Sequence, residues 1–83
     1  IGSLRDYDQE HGTNLVETLE IYFECNANVS IAAKKLFLHR NSLIYRMERI
    51  KEILNSDLKN PTELLALQVG LCVQKILEAR AEE

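Results

Sequence analysis

Residues 31–50, IAAKKLFLHRNSLIYRMERI, constrain the fold of this chain more than any other stretch. Apolar residues recur three and four apart in two runs of unequal length, broken near Leu38. That spacing is helical. Asn28 stands where a cap belongs, so a short helix is expected from about Val29 to Phe37. Ala32, Ala33 and Leu36 form its inner face, and the paired alanines call for close approach by another helix. Leu38 is expected to follow as a buried turn residue. A longer helix is then expected from His39 or Arg40 to about Leu54. On a wheel of about 100° per residue, Leu43, Met47, Ile50 and Leu54 fall in one narrow sector and face inward. Asn41, Tyr45, Glu48 and Glu52 lie opposite, with Ser42 and Arg49 beside them.

A short helix, a tight connection and a longer helix with a polar tip make the helix-turn-helix pattern. Small side chains at the crossing and apolar pegs on both sides of the turn let two helices meet at a steep angle. Simple versions of the motif place glycine in the turn, where this chain has Phe37. Alanine-rich helical hairpins share much of the pattern, so the pattern alone is only moderately specific.

The remaining segments are also helical. Asn14 and Glu17 form a capping-box-like start, and Leu15, Val16, Leu19, Tyr22 and Phe23 carry a helix to about Asn26. Asn60, Pro61 and Glu63 mark another helix start, with proline at the first helical position. This last helix is expected to reach about Arg80. Its apolar residues cover two stripes, Leu65, Val69, Cys72 and Ile76, and Leu64, Leu67 and Leu71, a width that suits a helix sandwiched in the core. The sharper alternative is that one stripe meets a second subunit. Gly70 inside the helix costs about 1 kcal/mol relative to alanine unless close packing requires it. The polar opening IGSLRDYDQEHG can form a short helix from Ser3 through Glu10, stopped by Gly12. It holds too few apolar residues to stand alone. Residues 1–12 are read as the end of an upstream connection in a longer protein, and residues 13–80 as the domain.

With one proline and three glycines among 83 residues, an all-α fold is expected: a small helical domain with a helix-turn-helix and a C-terminal packing helix. A chain this size buries only roughly 60% of its unfolded surface, so its core is modest. No apolar run approaches the ~20 residues of a membrane span, and a cytoplasmic location is expected. Cys25 and Cys72 lie far apart, outside any metal-ligand spacing, and read as small core residues. The carboxylate pair, nucleophile–base pair or glycine-rich phosphate loop of an enzyme is missing from the pattern. No catalytic residue, metal or cofactor is expected.

The net charge is −3, but its distribution carries the information. Between residues 34 and 51, six basic residues face only Glu48, a local balance of +5, and the rest of the chain sums to −8. A helix lying flat in a major groove would press Glu48 and Glu52 against phosphates. One entering tip-first keeps them outside, and its N-terminus attracts phosphate. Chemistry then suggests roles. Arg40 can donate two hydrogen bonds to a guanine edge. His39, Asn41 and Ser42 can read a base or hold a phosphate. Tyr45 can offer its hydroxyl to phosphate or its ring to a thymine methyl. Arg46, Arg49, Lys34 and Lys35 are phosphate candidates. Each has a plainer reading: Arg46 and Arg49 as solvated or paired with Glu48 and Glu52, and His39 as no more than a helix cap.

The stretch LVETLEIYFECNANVSIAAKKLFLHRNSLIYRMERIKEIL, followed by DLKNPTELLALQVGL, closely resembles the C-terminal DNA-binding domain of the PucR family of bacterial transcription regulators. The likeness runs from about His11 to Leu77. The family's HRN-[ST]-L-x-YR signature corresponds to His39, Arg40, Asn41, Ser42, Leu43, Tyr45 and Arg46, and Phe37 is ordinary in the family. Many relatives carry arginine where this chain has Ile44, which puts one backbone contact in question. The resemblance implies a Fis-like helix-turn-helix at the end of an effector-responsive regulator. It is also similar to the helices of the factor for inversion stimulation, which dimerise and dock tip-first. Double-stranded DNA is the expected partner, with assembly as a homodimer or larger homo-oligomer. Any effector ligand is expected to bind a domain absent from this chain. The competing expectation is a helical interaction or dimerisation module that ignores DNA.

Overall fold

The computed structural model describes residues 2–81, which form five helices and, among the described residues, no strand. Glu82 and Glu83 of the acidic tail, and Ile1, lie outside the described residues. The helices are α1 (Gly2–His11), α2 (Leu15–Glu24), α3 (Val29–Lys35), α4 (Arg40–Leu54) and α5 (Pro61–Ala81).

Local chemistry sets most of these limits. The Asn28 side chain accepts the Ile31 N–H at 3.0 Å and starts α3. Asn60 accepts the N–H groups of Thr62 and Glu63, at 2.9 and 3.2 Å, and starts α5. Asn55 takes the left-handed conformation after α4, where asparagine is well tolerated. Gly12, at φ +64°, follows α1 as the expected stop.

The start of α2 departs from expectation. Asn14 occupies the cap position, but its side chain makes no cap hydrogen bond. Asp8 of α1 does the capping instead. The N–H groups of Leu15 and Val16 donate to its two carboxylate oxygens at 2.8 and 2.9 Å, and the Thr13 hydroxyl also donates to it. Bonds to a charged acceptor are roughly twice as strong as neutral ones, so the carboxylate outcompetes a local amide.

The core forms where α2 and α4 meet α1 and α3. Leu4, Leu19, Ala32, Leu43 and Ile50 are fully buried, with Leu15, Ala33 and Met47 nearly so. Complete burial of each large side chain stabilises the fold by roughly 1.5–3 kcal/mol. Ala32 and Ala33 let the α3 and α4 backbones approach closely, as their spacing suggests. Leu54 and Leu38 are half-buried at the edge of this core, so Leu38 is a partly covered peg rather than a buried one. Thr18 is the buried polar member. Its hydroxyl donates to the Asn14 carbonyl at 2.7 Å and accepts from Arg46 at 3.1 Å.

The last helix is not sandwiched in the core. Of the other helices, only α2 packs closely against α5. Leu71 is buried, with Leu64 and Leu67 half-covered against the core. On the opposite side Leu65, Val69, Val73, Ile76 and Leu77 stand about half or more exposed. Cys72 is also exposed, while Cys25 is buried as expected. Four helices already close so small a core, and α5 has one face left over. Lys75 pins the helix to α2 through Glu20, at 2.6 Å, with Glu24 at 3.9 Å. The Glu20 hydrogen bond and charge raise the Lys75 pKa above the ordinary lysine value.

Candidate nucleic-acid interface

The turn and the tip of α4 are built by the end of α3. The Phe37 N–H donates to the Lys34 carbonyl at 3.2 Å, and the Leu38 N–H to the Ala33 carbonyl at 2.9 Å. This double closure is the Schellman arrangement, and it stops α3 two residues before the expected end. Phe37 takes the left-handed conformation it requires, at φ +57°. Extended His39, at φ −69° and ψ 149°, then redirects the chain into α4. The His39 side chain makes no cap bond, and the first bond into α4 runs from Leu43 N–H to the His39 carbonyl at 3.1 Å. The N–H groups of the first helical turn therefore lack intrahelical partners.

His39, Arg40, Asn41 and Ser42 are all exposed at this end, and Tyr45 is exposed one turn further on. Glu48 and Glu52 lie on the same outer side, towards the far end of the helix. Ile44 is half-buried at the flank.

The six cations of residues 34–51 divide sharply by partner. Arg46 turns inward to the buried Thr18 hydroxyl. Arg49 pairs with Glu52 at 3.5 Å, donates to the Tyr45 hydroxyl at 3.2 Å and lies 5.9 Å from the centre of its ring. Tyr45, by hydrogen bond and then by charge, raises the Arg49 pKa above the ordinary guanidinium value, with Tyr7 and Glu52 adding to it. Lys51 pairs with Glu48 at 3.4 Å. Lys34, Lys35 and Arg40 make no ion pair among the described residues. All three are exposed and flank the turn. Uncompensated positive charge is thus gathered at one end of the helix pair.

A groove beside the tip runs between α4 and the α1–α2 connection. Asn41, Ser42, Tyr45, Arg46 and Arg49 line one side and Tyr7 and Asn14 the other. Tyr7 escaped the sequence reading because only the docking of α1 brings it here. Its stacking on His11, four residues later, was open to a helical reading of the opening segment.

This arrangement of turn, tip and supporting alanines coincides with a family match over residues 15–73, to the PucR C-terminal helix-turn-helix domain. The chain belongs to this family. It is 39% identical over 71 residues to the DNA-binding transcriptional activator AdeR of Bacillus subtilis, covering 86% of this chain and 17% of the relative. It is 36% identical over 69 residues to the purine catabolism regulatory protein of the same organism, covering 83% and 13%. The carbohydrate diacid regulator of Escherichia coli is 42% identical over 57 residues, covering 69% and 15%. No solved structure matches the chain. The chain spans less than a fifth of the length of these relatives. As a PucR-type helix-turn-helix unit it is a DNA-binding domain of transcription regulators. No helix among the described residues is long and apolar enough to cross a membrane.

Proposed function

We propose that this domain reads double-stranded DNA end-on, inserting the N-terminal tip of α4 into the major groove as part of a longer cytoplasmic regulator. The observation that carries the reading is the charge division along α3 and α4. Cations near the far end of α4 are neutralised by Glu48 and Glu52, while Lys34, Lys35 and Arg40 around the turn have no such partner among the described residues. Arg40 is the base reader, offering its planar fork to a guanine edge. His39, Asn41 and Ser42 contact bases or the phosphates at the helix start. Tyr45 holds a phosphate or a thymine methyl from the groove wall. Lys34 and Lys35 hold phosphate. Arg49 reaches phosphate by leaving Glu52, and Arg46 chiefly positions the helix through Thr18. The role is recognition, without catalysis, and any effector acts through another part of the longer protein. Selection of bound sequences from a random duplex pool tests the reading. An enriched motif supports it, and an unenriched pool overturns it.

Lys34→Ala is expected to weaken binding to all duplexes alike and to reduce the slope of log affinity against log salt by about 1. Titration at several salt concentrations measures both. An unchanged slope removes Lys34 from the phosphate contacts.

The exposed side of α5 supports assembly with a second copy of this chain. Leu65, Val69, Cys72 and Ile76 follow one another at intervals of four, three and four residues, the spacing of a helix–helix seam. No charged residue occurs from Leu64 through Gln74. A stable interface buries about 800 Å² per partner, more than this narrow stripe alone offers. The pair is therefore weak in isolation and reinforced by two half-sites on one duplex. Val69→Glu is expected to abolish self-association in sedimentation and to weaken binding to a two-half-site duplex far more than to a single half-site. Wild-type chains that stay monomeric on a palindromic duplex would exclude this interface.

A further inference from the structure

We infer that Phe37 is a second DNA-contacting element, whose ring meets an apolar edge of the duplex, a thymine methyl or a deoxyribose face, beside the groove that receives the α4 tip. The inference rests on the DNA-reading role of that tip. Its starting point is a mismatch between residue type and backbone. Five described non-glycine residues have positive φ: Asn26, Ala27, Phe37, Asn55 and Leu58. Asparagine tolerates this conformation, and alanine bears the β-carbon penalty but has no larger group to place. Leu58 carries a large side chain there but buries it, at 9% exposure. Phe37 combines a large side chain, the left-handed backbone and 95% exposure.

Nothing in the fold accounts for that ring. The turn needs only the N–H groups of Phe37 and Leu38, which glycine at residue 37 would supply without the steric penalty on its β-carbon. The ring is not covered, so it adds no burial. Its use must lie with something that binds. Position names the partner: Phe37 lies between Lys34 and Lys35 on one side and Arg40 on the other, three cations that make no ion pair among the described residues. Three residues of chain span at most roughly 11 Å, so a ring at Phe37 lies beside whatever Arg40 touches. A phenyl group has no donor, acceptor or charge. Among DNA surfaces it can contact the thymine methyl in the major groove or the sugar face along its edge.

The test uses the 83-residue chain with Phe37→Gly, Phe37→Leu and Arg40→Ala, against the duplex that wild type selects from a random pool. Phe37→Gly is expected to raise the thermal midpoint by about 4–8 °C, because the left-handed strain is relieved. The same variant is expected to bind the duplex roughly tenfold more weakly. Phe37→Leu keeps an apolar side chain and should retain most of the affinity. Replacing thymines by uracils in the duplex separates the two DNA surfaces. A methyl contact makes wild type lose more affinity to uracil than Phe37→Gly loses; a sugar contact leaves the two equally affected by uracil while the tenfold loss persists. If Phe37→Gly binds as tightly as wild type while Arg40→Ala loses preference, the ring belongs to a protein partner, and this inference fails while the tip reading stands. If wild type itself shows no sequence-dependent binding, both fall together.

Discussion

Arg40→Ala is expected to relax base preference at one position of the half-site and to weaken specific binding by about 1–3 kcal/mol. Arg40 is the first residue of α4, exposed and without an ion-pair partner among the described residues. Removing its side chain disturbs no packing, so the thermal midpoint should barely move. That separates it from Arg46, whose guanidinium reaches the buried Thr18 and whose loss would be read in stability. Arg40→Lys sharpens the test. It restores the charge but not the planar two-pronged donor, so it should recover binding to unrelated duplexes without recovering preference. The readout is the ratio of affinities for the selected duplex and a scrambled one, at a single salt concentration. A ratio unchanged in Arg40→Ala would reassign base reading to His39, Asn41 or Ser42.

Much of this architecture is legible in the sequence where the decisive interaction is local. The inward face of α4, with Leu43, Met47 and Ile50 buried, follows from spacing alone. Asn28 and Asn60 are readable as caps because each bonds to N–H groups two or three residues ahead. Asn14 looks the same on paper, yet Asp8 displaces it across a tight connection that only folding brings together. The last helix shows a different limit. Periodicity shows that a face is apolar without saying whether this chain or another molecule covers it. The stripe through Leu65, Val69 and Ile76 therefore reads as core but stands in solvent.

The interface divides in the same way. The basic balance of residues 34–51 is a sequence property, and so is the polar tip. Which cations remain without a partner is not. Arg46 and Arg49 lie one helical turn apart on the wheel, but one turns to Thr18 and the other to Tyr45 and Glu52. The sequence leaves each as a phosphate contact, a solvated side chain or a partner of Glu48 and Glu52, and the turn of Arg46 to Thr18 is not among these. Phe37 is visible as an oddity in the turn, but its significance needs two structural facts, a left-handed backbone and a fully exposed ring.

Leu4→Ala is expected to destabilise the domain by about 2–5 kcal/mol, a large part of the 5–15 kcal/mol that holds a typical small domain folded. Leu4 is fully buried although it lies in the polar opening segment, whose role as a connection predicts no such cost. An exposed connecting helix would tolerate the change within about 0.5 kcal/mol, so urea or thermal unfolding decides between a docked helix and a tether. The docking has a consequence for recognition. α1 supplies Asp8 to the start of α2 and Tyr7 to the groove lined by Asn41, Ser42 and Tyr45. Loosening α1 should therefore disturb the support of the tip as well as the core. Measured at a temperature where the Leu4→Ala chain is still mostly folded, its DNA affinity should fall by more than the loss of folded molecules explains. Affinity that merely tracks the folded fraction would make α1 a stabilising strut with no hold on the reading helix.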